Sequence, residues 1–180
     1  FARVAPIRKA IGKRTIFNLL GPLCNPARVK RQLIGVFAPE YCALMAETLQ
    51  LLGHTHAMVV HGDDGTDEIS ITGNTHMAHL ADGNIRYATI RPQDAGLMPH
   101  EGRTIMGGDA TQNARALRDV LDGLTSPYAD AVLLNAAAML MLADKAPTLH
   151  EGVALARSSI ARGEARRKLD TLIETSFPND

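Results

Sequence analysis

Two short apolar runs flank an amphipathic stretch near the start of the chain. Residues 31–38 (Arg-Gln-Leu-Ile-Gly-Val-Phe-Ala) and 56–61 (His-Ala-Met-Val-Val-His) have the length and continuity of buried strands. Between them Pro39 stands where a helix begins, and residues 40–52 carry apolar side chains at helical spacing up to Gly53. Strand, helix and strand with short connections predict a parallel βαβ unit. Residues 69–92 predict further strands, with turns at Gly73-Asn74 and at Asp82-Gly83-Asn84. Alternation on both sides of the second turn marks a hairpin.

The last third reads as helices. Residues 110–122 end at Gly123, residues 149–162 and 164–175 are divided by Gly163, and residues 127–143 are apolar nearly all round, which predicts deep burial. At the other end, residues 2–11 fit a helix ended by Gly12. The expected fold is α/β, a central mostly parallel sheet flanked by helices with a helical C-terminal part. It forms one domain over residues 1–180, without internal repeat or flexible linker.

One tract breaks the periodicity. In Thr15-Ile16-Phe17-Asn18-Leu19-Leu20-Gly21-Pro22-Leu23-Cys24-Asn25-Pro26 an apolar run meets Gly-Pro and then Asn-Pro. Two prolines remove two backbone donors and fix φ twice within five residues. Each preceding residue, Gly21 and Asn25, is biased toward extended backbone. A rigid folded-back loop is expected. It serves equally as a turn between core elements or as a stiff pocket wall, which lowers the ordering cost of binding a small molecule.

Composition narrows the classes. Hydrophobic residues make up 46% and charged residues 21%, ordinary for a globular protein. No apolar run reaches the length of a membrane span and no signal-peptide pattern opens the chain. Cys24 and Cys42 lack metal-ligand spacing and suggest no disulfide framework, so a reducing cytoplasm is expected. Trp is absent and aromatics are 4%, which argues against base-stacking platforms for nucleic acid. Charge is uneven. Residues 1–39 hold Arg3, Arg8, Lys9, Lys13, Arg14, Arg28, Lys30 and Arg31 and no acidic group, although the whole chain sums to zero. Such a front is either a solvated face or a surface for phosphate and carboxylate groups. The chain opens on Phe1 inside a predicted helix, as a piece of a longer protein would.

Candidate chemistry gathers after the second strand, in His61-Gly62-Asp63-Asp64-Gly65-Thr66-Asp67-Glu68. Four carboxylates within six residues repel one another unless a cation intervenes, and hard oxygen donors select Mg²⁺ or Ca²⁺. A solvated acidic turn is the competing reading, and Asp63 and Asp64 suit it better than Asp67 and Glu68. His61 alone among the histidines lies beside this loop. Gly107-Gly108-Asp109 reads as a helix entry capped by Asp109 rather than a phosphate cradle. No nucleophile–base arrangement is visible, so no catalytic residue is assigned.

The chain resembles the C-terminal half of the anthranilate phosphoribosyltransferases, of the nucleoside phosphorylase/phosphoribosyltransferase fold. The resemblance rests on residues 4–9, the tract 14–26, residues 32–37, residues 60–70 with Asp67-Glu68, and Asn135-Ala136-Ala137-Ala138. It implies transfer of the phosphoribosyl group of phosphoribosyl pyrophosphate to anthranilate with Mg²⁺, in tryptophan biosynthesis. Asp67 and Glu68 then hold Mg²⁺, Arg8 contacts anthranilate, and Gly21 and Pro22 wall its pocket. It also implies a homodimer at full length, with no nucleic-acid or membrane partner. Arg3 departs from the family, where a histidine is common. The family's Gly-Thr-Gly-Gly-Asp phosphate loop, its Lys-His-Gly segment and its N-terminal helical domain are absent from the 180 residues, which are therefore expected to be inactive alone. A pyrimidine nucleoside phosphorylase or a non-enzymatic nucleic-acid-binding relative shares the fold class; the Asn-Leu-Leu-Gly-Pro-Leu tract with Asp67-Glu68 disfavours the first, and sparse aromatics, zero net charge and the intact acidic loop disfavour the second.

Overall fold

The computed structural model describes residues 6, 10–13, 15–101 and 105–176. A four-stranded sheet in the order β1-β2-β3-β4 organises them: β1 (Arg31–Gly35), β2 (His56–Gly62), β3 (Thr75–Ala81) and β4 (Asn84–Ile90). Strand β1 pairs in parallel with β2, Leu33 opposite Met58. The helix α2 (Glu40–Leu51) crosses between them, and Gly53 ends that crossing with φ +73°. The expected βαβ unit is present.

The remaining pairings differ from a mostly parallel sheet. Both β2–β3 and β3–β4 are antiparallel. The connections explain this. A parallel neighbour needs a long crossover, whereas β3 and β4 are joined by Asp82-Gly83 alone. Both turn residues have positive φ, 48° and 77°, the geometry of a tight hairpin turn. The segment from Ile69 to Asn74 is not a strand but the end of a loop.

Strand β2 is buried on both faces, and its side chains divide two cores. Ala57 and Val59 join Ile34, Met45, Leu49 and Leu80 beneath α2. Met58 and Val60 join Ile69, Ile71, Leu134, Ala138 and Val153 beneath α4 (Pro127–Leu142) and α5 (Leu149–Ala161). A Cβ at Gly152 would stand 2.7 Å from the Ala137 Cβ, so α5 lies unusually close on α4. Met139 of α4 is 49% exposed, so this helix is less buried than its apolar sequence predicts. Helix starts are capped as their sequences suggest: Asp109 accepts from the Gln112 amide at the head of α3 (Ala110–Leu121), and Thr148 does so from Glu151 at α5. The last helix, α6, spans Glu164–Ser176.

The Gly-Pro tract is a short helix, α1 (Phe17–Leu23), with Pro22 inside it, not an extended loop. Gly21 lacks the Cβ whose clash with the proline ring disfavours helix before proline, and in a seven-residue helix Pro22 costs a single bond. Leu19 and Leu23 anchor it on the α2 core. Beyond it, Asn25 makes a turn, its side-chain oxygen accepting from the Ala27 amide at 2.9 Å. Of the predicted helix 2–11, all but Pro6, Ala10 and Ile11 lie outside the described residues.

Candidate functional site

Parallel strands β1 and β2 end side by side, and ligands of open α/β sheets bind beyond such ends. His61 Nδ1 lies 2.8 Å from the Val36 carbonyl and must donate to it, tying the two ends together. His61 is buried. The loop that follows turns tightly: Gly65 N donates to Gly62 O at 2.9 Å, with Gly65 at φ +86°. A Cβ at Gly62 would lie 2.6 Å from Asp64 Oδ1, so the turn requires glycine there.

The first two acids of the loop are internally satisfied. Asp63 accepts from Asn74 and lies 2.9 Å from His76 Nε2. Asp64 Oδ2 accepts from the Ser70 and Thr72 hydroxyls, each at 2.7 Å, and Oδ1 from the Thr66 amide at 3.1 Å. Partial burial opposes its charge, but these hydrogen bonds outweigh it and hold the carboxyl below its ordinary range.

Asp67 and Glu68 are exposed, and neither carboxylate has a hydrogen-bond or ion-pair partner among the described residues. Desolvation, and then the neighbouring Asp67 charge, push the Glu68 carboxyl above its ordinary range. Two adjacent carboxylates without a described partner offer the oxygen donors that a hard divalent cation takes. Among the described residues no group of three or more His, Cys, Asp or Glu gathers at metal-binding spacing. Mg²⁺ needs none, because it commonly takes one or two carboxylates and completes its shell with water and substrate phosphate.

The backbone beneath this pair is fixed from two sides. The Asp67 carbonyl sits against Gly35, where a Cβ would stand 1.5 Å from its oxygen. Asn135 of α4 reaches Ile69: its Oδ1 accepts from Ile69 N at 2.9 Å and its Nδ2 donates to Ile69 O at 3.0 Å. Sequence reasoning assigned no role to Gly35 or Asn135. The signal for Asn135 was present, since it is the one polar residue in 131–142 and a polar group in an apolar helix needs a partner.

The other candidates stand apart. Gly21 is exposed and Pro22 half-buried, and no described hydrogen bond or ion pair links either to the acidic loop. Leu23 of the same helix lines a cavity of about 200 Å³ with Lys30, Gln32 and His54, beside the starting ends of β1 and β2. Arg8 and Arg3 lie outside the described residues. The Gly108 amide serves the head of α3, donating to Asn113 Oδ1 at 2.8 Å. Among the described residues no helix is long and apolar enough to cross a membrane.

Known proteins resemble this chain closely. It is 54% identical over 173 residues to the anthranilate phosphoribosyltransferase of Mesorhizobium japonicum, covering 96% of this chain and 51% of that protein. The Xanthobacter autotrophicus enzyme of the same name is 51% identical over 173 residues, 96% of this chain and 50% of its own length. The chain thus spans about half the length of the curated relatives it matches. Among solved structures, anthranilate phosphoribosyltransferase from Saccharomyces cerevisiae in complex with 4-fluoroanthranilate matches with a TM-score of 0.87 and 31% identity, over 96% of this chain and 51% of that one. The yeast enzyme in complex with PRPP and Mg matches at 0.85 and 30%, over 94% and 49%. The sequence model of the glycosyl transferase family, a/b domain, matches residues 1–166, and the chain belongs to that family.

Proposed function

We propose that the protein is an anthranilate phosphoribosyltransferase, joining the phosphoribosyl group of phosphoribosyl pyrophosphate to the anthranilate amine with release of pyrophosphate. The observation that carries this reading is the Asp67–Glu68 pair beyond the parallel strand ends, without a partner among the described residues, in a chain about half identical over its matched length to enzymes of that name. The amine nitrogen forms a bond to the anomeric carbon while the bond from that carbon to the pyrophosphate oxygen breaks, and the nitrogen gives up a proton. Negative charge grows on the leaving group. Mg²⁺ held at Asp67 and Glu68 would neutralise that charge, the largest demand of such a transition state. Asp67 and Glu68 would be the residues that hold the cation beside the leaving group. Arg8 pairs with the anthranilate carboxylate, a planar match for guanidinium, and Gly21 and Pro22 form part of its pocket wall.

The same reading takes the full-length protein as a cytoplasmic homodimer, in a compartment where Cys24 and Cys42 remain thiols. It also expects the 180 residues alone to be inactive, because they contain no glycine-rich phosphate loop to hold the pyrophosphate. The test is the full-length gene product with anthranilate, phosphoribosyl pyrophosphate and Mg²⁺, following loss of anthranilate fluorescence. Turnover requiring all three supports the assignment, and no consumption of anthranilate sinks it. Arg8→Ala should raise the anthranilate KM roughly ten-fold or more, as expected for about 1.5–3 kcal/mol of charge-assisted hydrogen bonding, and move the KM for the other substrate much less.

A further inference from the structure

Asp67 and Glu68 can serve a cation only if the backbone that carries them stays in one place, and their own side chains have no described partner to hold it. Three successive peptide groups are fixed from outside instead. The peptide after Asp67 rests its carbonyl on Gly35. The next presents its Ile69 N–H to Asn135 Oδ1, and the third presents the Ile69 carbonyl to Asn135 Nδ2. Asn135 Nδ2 also donates to Ala131 O at 3.0 Å within its own helix, which fixes the amide's orientation. Ile69 itself is 1% exposed in the core under α4, so the clamp sits at a buried anchor one residue from Glu68. A primary amide that pairs with both the N–H and the C=O of one residue acts as a short piece of neighbouring strand would.

We propose that Asn135 is a positioning residue for metal binding, holding the Asp67–Glu68 carboxylates at the geometry a divalent cation requires. This rests on the reading that those two carboxylates bind the cation. Groups that orient metal ligands from behind typically cost 10–100-fold in metal affinity when removed. That defines a result a merely structural asparagine would not give.

The experiment uses the full-length gene product, with Mn²⁺ as probe in the presence of inorganic pyrophosphate and free Mn²⁺ read by EPR. Asn135→Ala should weaken Mn²⁺ binding 10–100-fold and raise the half-saturating Mg²⁺ of turnover in parallel, with the anthranilate KM unchanged. Asn135→Asp keeps the acceptor for the Ile69 N–H but sets a carboxylate oxygen against the Ile69 and Ala131 carbonyls in place of the donor, so it should weaken Mn²⁺ binding at least as much as Ala. Lowered melting temperature with unchanged Mn²⁺ affinity in both variants overturns the proposal. The wild-type protein provides a check that needs no variant: the Ile69 amide should exchange with solvent far more slowly than the Gly65 amide, and equal rates overturn the clamp. Asp67→Asn with Glu68→Gln separates the two claims. If that pair leaves Mn²⁺ affinity intact, the metal reading fails. If it abolishes binding while the Asn135 variants bind normally, only the positioning role falls.

Discussion

Asp63 and Asp64 differ from Asp67 and Glu68 in what surrounds them, although all four lie within six residues of one loop. The first two are acceptors for His76, Asn74, Ser70, Thr72 and the Thr66 amide, and they organise the turn. The second two have no described partner, and their backbone is held from below by Gly35 and from the side by Asn135. Counting charges treats the four alike. Hydrogen bonding separates them into a pair that builds the loop and a pair that the loop presents. The loop therefore spends two carboxylates on its own shape and leaves two without a described partner.

Stability measurements sharpen this contrast. The largest effect is expected from Gly35→Ala, because the new Cβ would lie 1.5 Å from the Asp67 carbonyl oxygen and backbone must move. Overpacking of this kind costs about 1–3 kcal/mol, read as a lower denaturation midpoint, and the displaced loop should also need more Mg²⁺ for turnover. A smaller loss is expected from Asp64→Ala. It removes three hydrogen bonds from an exposed loop where water replaces part of them, so about 1 kcal/mol is reasonable. Asp67→Asn with Glu68→Gln should leave the melting temperature the same or slightly higher, since it removes a repulsion and no bond. A drop comparable to that of Asp64→Ala would erase the distinction.

The smallest effect is in the pH dependence, and its sign differs between the halves. Asp64 is held below its ordinary range, so the unfolded chain binds more protons as acid is added. Its contribution is present above the ordinary Asp value and is lost as pH falls through the lowered one. Glu68 is raised, so the folded chain holds the proton longer. Its contribution is present below the ordinary Glu value and is lost as pH rises through the elevated one. NMR titration of the two carboxyls should show them moved in opposite directions, and Mg²⁺ with pyrophosphate should pull only the Glu68 midpoint down.

Much of the frame was legible along the chain. The β1–α2–β2 unit follows from two apolar runs and Pro39, the hairpin from Asp82-Gly83, and the helix ends from Gly53, Gly123 and Gly163. Strand direction past β2 was not, because apolar patterning reports burial and not orientation. The helical Phe17–Leu23 was missed for a related reason: local rules at Gly21-Pro22 favour extended chain, and packing of Leu19 and Leu23 overrides them. At the site, adjacency singled out Asp67 and Glu68. The clamp from Asn135 joins residues 66 positions apart and becomes visible only once the chain is folded.

The most direct test of the central claim is the Mg²⁺ dependence of phosphoribosyl anthranilate formation by the full-length gene product, compared between Asp67→Asn/Glu68→Gln and Asp64→Asn. The account predicts that the first loses turnover by at least about 100-fold, the scale set by removing a transition-state charge stabiliser, while the second keeps the wild-type Mg²⁺ requirement and loses stability. Wild-type turnover and Mg²⁺ dependence in the Asp67/Glu68 variant, or a changed Mg²⁺ requirement confined to Asp64→Asn, would contradict it.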